Sequence, residues 1–74
     1  MAMKQQKFDA VRYRITLTYE DGSIEVITVT ATDPVVVMMV ARGWLYSSAL
    51  STFVRYVPIN EEGKRVGVGG QYVR

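Results

Sequence analysis

A strictly alternating segment followed by a tight turn constrains this chain more than any other feature. From Val11 to Tyr19, large apolar or aromatic residues alternate with arginine and threonine, which predicts a β-strand with one buried face. Asp21-Gly22 follows, a dipeptide typical of two-residue type I′ hairpins. The segment 24–31 is rich in valine, isoleucine and threonine. The sequence therefore predicts a β-hairpin.

A two-residue loop fixes the register of this predicted hairpin. It pairs Tyr19 with Ile24 on the buried face. Ile27 and Val29 then lie on the opposite, solvent-facing side, although both are apolar. A loop of different length would shift one strand against the other and exchange its two faces.

A helix start follows the predicted hairpin. Asp33 is suited to cap the first free amides, and Pro34 fits the first helical position. We expect a helix over 35–42, ended by Gly43 in a left-handed conformation. The β-branched valines at 35–37 are also compatible with a buried strand, so the segment is open to both interpretations.

The predicted helix lacks a polar outer stripe, because every residue over 35–41 is apolar. A helix that covers one face of a small sheet normally keeps such a stripe. Either a partner protein or a second copy of the chain covers this helix, or its outer face is an exposed apolar patch. Val35, Met38 and Met39 are the candidate residues for that contact.

The remaining elements complete a small domain. We predict a third strand over 52–59, a turn at 60–63 and a short fourth strand over 64–68. The predicted fold class is α+β: a small antiparallel sheet of three to four strands, in the order strand–strand–helix–strand, packed on one helix.

The length of 74 residues allows one domain. Residues 1–10 are polar and aperiodic, and we expect a flexible lead there. The single α+β domain is predicted over 11–68. The glycines that follow favour a flexible tail over 69–74.

Composition narrows the chemistry that is available. The chain has no cysteine and no histidine, which excludes disulfides, zinc sites of the usual cysteine and histidine type, and catalysis by either side chain. Asp21 and Asp33 are used by the turn and the helix cap, and Glu61 and Glu62 are adjacent on a predicted turn. We therefore predict no enzymatic activity, no catalytic residue, no metal and no cofactor.

The apolar segment 34–41 is far shorter than the ~20 residues that span a bilayer. No apolar stretch of signal-peptide length follows the N-terminal lysines. We expect a cytoplasmic protein with no membrane partner.

The net charge of +2 is mild for a nucleic-acid-binding protein of this size. Arg12 and Arg14 in the first strand, with Lys64 and Arg65 near the end, are the candidate nucleic-acid contacts. Ordinary solubilising charge is the alternative interpretation of the same residues.

Other side chains are candidates for a protein contact. Trp44 and Tyr46 either close the end of the core or serve as aromatic anchors at an interface. Arg55, on one strand face with Phe53, either makes a charge-assisted contact with a partner or guards a sheet edge against pairing.

Three stretches carry a resemblance to a known family. They are Ser23-Ile24-Glu25-Val26, Trp44-Leu45-Tyr46 and Arg55-Tyr56-Val57-Pro58. Together with the order of elements between Tyr13 and Pro58, they resemble the small inhibitors of host RNA polymerase made by short-tailed lytic bacteriophages. Those proteins have a strand–strand–helix–strand fold of about this size.

The resemblance implies a protein that binds the jaw region of the polymerase's largest subunit and blocks the channel that receives promoter DNA. Arg55 matches one of the family's third-strand contact arginines, whereas Val57 stands in place of the second. Trp44, Tyr46 and Tyr56 are the neighbouring candidates for the contact. The helix also departs from the acidic helix of the family.

The function expected from these observations is that of a small phage-type binding protein. It would inhibit or modulate a host protein complex in the bacterial cytoplasm by occupying its surface. RNA polymerase is the first expected target, and a homodimer is a compatible state. Two alternatives remain open: an anti-CRISPR protein or other host-defence inhibitor on the same scaffold, and a nucleic-acid-binding module.

Overall fold

A computed structural model describes residues 9–74 as a four-stranded antiparallel sheet with one helix packed against it. The elements are β1 (Val11–Tyr19), β2 (Ile24–Ala31), α1 (Pro34–Tyr46), β3 (Ser51–Ile59) and β4 (Gly70–Val73). The strand order is β2-β1-β3-β4. The predicted α+β class is confirmed. The flexible lead expected over 1–10 lies almost wholly outside the described residues.

The β1–β2 turn differs from the predicted type I′ turn. Gly22 N–H donates to Tyr19 O, and Tyr19 N–H donates to Ser23 O, both at 2.9 Å. Gly22 has a φ of 88°, and no residue other than glycine has a positive φ between residues 9 and 74. The loop is therefore 20–22, a type I turn followed by a left-handed glycine. The side chain of Asp21 fixes it by accepting from Ser23 N–H at 2.9 Å.

The longer loop shifts the hairpin by one residue. Thr18 pairs with Ile24 and Ile15 pairs with Ile27, so the predicted pairing of Tyr19 with Ile24 is wrong. Since side chains alternate along a strand, the shift exchanges the two faces of β2. Ile27 and Val29 consequently lie on the helix side of the sheet, contrary to the prediction.

The helix begins as predicted but ends later. Asp33 Oδ1 accepts from Val35 N–H at 2.9 Å, and Pro34 occupies the first turn. The helix runs through Gly43 and ends at Tyr46, with Ser47 as the C-cap. Continuation through glycine costs about 1 kcal/mol, and the full burial of Leu45 offsets this cost. Gly43 is therefore not the terminator, and the strand interpretation of 35–37 is wrong.

Replacing Asp33 with alanine is expected to destabilise the fold by about 0.5–2 kcal/mol, because the first turn loses its side-chain acceptor. Urea denaturation followed by circular dichroism measures the change. Thr32→Ala, at the exposed neighbouring position, is the matched control. Equal effects of both substitutions would contradict the assigned cap.

The core lies between α1 and one face of the sheet. Val37, Ala41 and Leu45 are fully buried on the helix, at the four-residue spacing that defines one helix face. They pack against side chains that alternate along the strands, namely Tyr13, Ile15, Leu17 and Val54. The side of the helix that faces away from the sheet is uncovered: Met39 is 68% exposed.

The fourth strand is not at 64–68, as predicted, but at Gly70–Val73. In the predicted position, Val66 N–H donates to Pro58 O, and a single bridge joins Ile59 and Arg65. Pro58 has no N–H to extend this ladder. Gly70–Val73 pairs with β3 instead, so 69–74 is not the predicted flexible tail.

Candidate functional site

The sheet has one face that no helix covers among residues 9–74. The pairing of β1 with β3 aligns Thr18 with Phe53, Thr16 with Arg55, Arg14 with Val57 and Arg12 with Ile59. These side chains alternate with the core residues of the same strands and therefore point away from α1. We call this surface the open face.

Arginines gather on the open face. Arg14, Arg55 and Arg65 line one shallow groove of about 280 Å³, together with Phe53 and Thr16. Arg65 reaches the groove because it bridges to Ile59 from the 60–69 connection. Three segments that are distant in sequence thus bring their guanidinium groups to one concave surface.

The hydrogen bonds of these arginines orient them without neutralising them. Arg14 Nη1 donates to Gly63 O at 3.2 Å, and Arg65 Nε donates to Gly67 O at 2.8 Å. Arg55 Nη2 lies 3.5 Å from Gln71 Oε1. The acceptors are carbonyl and amide oxygens. Most of the guanidinium donors therefore remain available to an anionic ligand.

Among the residues that the structure describes, no carboxylate side chain lines the groove. Within the described part of the chain, the one ion pair joins Lys64 Nζ and Glu62 Oε2 at 3.7 Å, with both side chains exposed. Glu25 pairs with Leu17 and so lies on the helix side of β2. The three arginines that line the groove therefore have no ion-pair partner among residues 9–74, although the net charge of the chain is small.

Two groups with shifted pKa values lie near the hairpin turn, outside the groove. Hydrogen bonds from Ser23 hold the pKa of Asp21 below its usual value. Tyr19 donates to Glu25 Oε1 at 2.9 Å, and this hydrogen bond raises the pKa of the Tyr19 phenol. Both shifts keep the groups in their ordinary neutral-pH forms, the carboxylate ionised and the phenol protonated.

The structure divides the predicted protein-binding residues between two sides of the sheet. Arg55 is on the open face, whereas Trp44 is half-buried against the core. Tyr46 is exposed on α1, with the Arg74 guanidinium 5.5 Å from its ring centre. Tyr56 packs on the helix side, and burial together with Tyr72 raises its pKa. These four residues do not form one contact surface.

The predicted partner face of α1 is only partly available. Val35 is 53% exposed and Met39 is also exposed, whereas Met38 is half-buried. A shallow depression next to Met39 is lined by Arg42 and Tyr46.

The predicted nucleic-acid contacts are also divided. Arg14 and Arg65 line the groove, and Arg12 lies one cross-strand row beyond it, beside Ile59. Lys64 is instead ion-paired with Glu62.

Sequence reasoning did not place Arg65 on the same surface as Arg14, Arg55 and Phe53. Alternation within β1 places Arg14 opposite the core residues. Only the pairing of β1 with β3 shows that Arg55 lies on the same face, because strand order is not encoded in local periodicity. The one signal in the sequence is that Phe53 and Arg55 are two residues apart in β3 and therefore lie on the same face of the strand.

No group of three or more carboxylates in 9–74 is arranged to hold a metal ion. Within the same range, there is no helix that combines the length and the apolarity needed to cross a membrane.

The comparisons with known proteins add no family or relative. No protein-family model matches the chain, and searches of curated proteins and of solved structures give no match.

Proposed function

We propose that the protein binds single-stranded nucleic acid on the open face, without catalysis. The observation that carries the proposal is the groove where Arg14, Arg55 and Arg65 converge with no carboxylate partner. Guanidinium groups donate in pairs to phosphate oxygens, and such charge-assisted bonds are about twice as strong as neutral ones. An anionic backbone is therefore the ligand that best complements this surface.

The preference for single strands comes from the shape of the surface. Duplex DNA is read by an element that enters a groove, normally a helix or a two-stranded ribbon. The open face is instead a shallow sheet surface, and Phe53 lines its groove in the cross-strand row next to that of Arg55. Unpaired bases stack on aromatic rings and on guanidinium planes, whereas paired bases do not expose their faces.

Fluorescence anisotropy with a labelled single-stranded oligonucleotide tests this proposal. Contacts from three arginines predict that log K falls with log salt with a slope of about −2, at about −0.7 per phosphate. Affinity then drops about 15-fold between 50 and 200 mM salt. A duplex of the same sequence is the control and is expected to bind more weakly. No binding at low salt would refute the proposal.

Inhibition of a host bacterial RNA polymerase remains the second proposal, and Arg55 supports it. The side chain is exposed on the open face and is free to meet an acidic protein surface. This second proposal also places the protein in the bacterial cytoplasm. Transcription assays with purified polymerase test it: inhibition by the wild type that is lost in Arg55→Glu would favour it, and unchanged transcription would remove it.

A further inference from the structure

The outer edge of β2 is unpaired within residues 9–74, because β2 is the terminal strand of the sheet. The hydrogen bond from Tyr19 N–H to Ser23 O closes the β1–β2 hairpin. Because hydrogen-bonded and non-hydrogen-bonded pairs alternate along an antiparallel ladder, this bond determines which residues of β2 hydrogen-bond to β1. Glu25, Ile27 and Val29 point their backbone groups inward. The outward-facing residues are Ile24, Val26, Thr28 and Thr30.

The edge lacks the usual protection against pairing. Natural edge strands carry lysine, proline or a bulge, but Ile24–Ala31 contains neither residue, and its register with β1 is regular. Glu25 is its one charged residue. Ile24 is 58% exposed, Val26 51% and Ile27 38%.

On the helix side of the sheet, exposed apolar residues of α1 add to this edge. The Arg42 guanidinium lies 5.5 Å from the ring centre of Tyr72 on β4, so that flank of α1 points toward β4. At about 100° per residue, Val36 and Val40 lie on the opposite flank, toward β2. Both are exposed. They lie on the same side of the sheet as Ile27.

We propose that a second copy of the chain pairs with this edge, β2 against β2, around a two-fold axis perpendicular to the sheet. With Ile27 on the axis, Val26 pairs with Thr28 of the second copy, and Ile24 pairs with its Thr30. This register satisfies every outward-facing backbone group of Ile24, Val26, Thr28 and Thr30. Centring on Thr28 instead would leave the groups of Ile24 unpaired.

The edge is complementary to itself, which is what a symmetric dimer requires. In the proposed register, Glu25 lies opposite Val29 of the second copy, so no like charges meet. On the helix side, Ile27 faces its own copy, and Val36 and Val40 extend the apolar contact. The open faces of both copies lie on the same side of one continuous sheet. The dimer does not depend on the proposed nucleic-acid binding.

A cysteine crosslink tests both the dimer and its register. The chain has no cysteine, so Ile27→Cys introduces a single thiol. Ile27 and its copy form a non-hydrogen-bonded pair, with Cα atoms about 4.5 Å apart, within the range of a disulfide. We expect mild oxidation to convert most of this variant to a covalent dimer.

Ile24→Cys is the matched control, because it is exposed on the same strand but faces Thr30 of the second copy. We expect little crosslinking of this variant. Equal crosslinking of both variants would overturn the register. Sedimentation equilibrium of the wild type gives an independent test, because a monomer mass at all concentrations would overturn the dimer. Loss of dimer mass in Ile27→Lys with an unchanged circular dichroism spectrum would support it.

Discussion

Arg55→Glu is expected to weaken binding of a single-stranded oligonucleotide by about 10- to 150-fold. Hydrogen bonds to charged groups contribute about 1.5–3 kcal/mol each, and every 1.4 kcal/mol is a tenfold change in affinity. Arg55 is exposed and its contact with Gln71 is long. The loss therefore falls on ligand contacts and leaves the fold intact. Fluorescence anisotropy at fixed salt measures the change.

Arg42→Glu is the matched control for charge. It produces the same change in net charge, but Arg42 lies on α1 against Tyr72, on the other side of the sheet. We expect its effect on affinity to be within a few-fold, because long-range attraction is screened beyond about 10 Å at 0.1 M salt. Equal losses of affinity in both variants would mean that binding depends on the overall charge of the protein and not on the groove.

Leu45→Ala is expected to destabilise the protein by about 2–5 kcal/mol, the usual cost of emptying a fully buried leucine site. Leu45 is 0% exposed, in the last turn of α1. A domain of this size has a small margin of stability, so the variant is expected to be partly unfolded at 37 °C. Urea denaturation at 25 °C measures the difference.

Leu50→Ala makes the same chemical change at a position that is 56% exposed. We expect it to cost less than about 0.5 kcal/mol, as for most surface substitutions. Similar small effects at both leucines would indicate that the helix ends near Gly43, as the sequence alone predicts.

Local signals in the sequence were sufficient for the elements with strong periodicity or capping. The alternation of Val11–Tyr19 predicted β1, and Asp33 with Pro34 predicted the start of α1. The turn type was not predictable from Asp21-Gly22 alone, because that dipeptide fits two loop lengths that differ by one residue. The face of every β2 side chain depends on that difference.

The remaining errors arose where tertiary packing overrides local preference. Gly43 has the residue type of a terminator, but burial of Leu45 favours another helical turn. The glycines near the end predicted a loose tail, whereas Gly69 allows a close approach to β3. A Cβ at that position would overlap the carbonyl oxygen of Tyr56.

The candidate site was predictable only in part. The alternation in β1 identified Arg12 and Arg14 as residues that point away from the core. The groove itself depends on β1 and β3 being neighbours and on the 60–69 connection returning Arg65 to the open face. These are long-range relations, and a single sequence contains no local signal for them.

The most direct test of the account is to map the surface that a single-stranded oligonucleotide contacts, by amide NMR shifts of the 15N-labelled protein. The open-face site predicts that Arg14, Thr16, Phe53, Arg55 and Arg65 shift in proportion to added oligonucleotide. The amide chemical shifts of α1 are expected to stay unchanged. Shifts confined to Pro34–Tyr46, with the open face unchanged, would contradict the account.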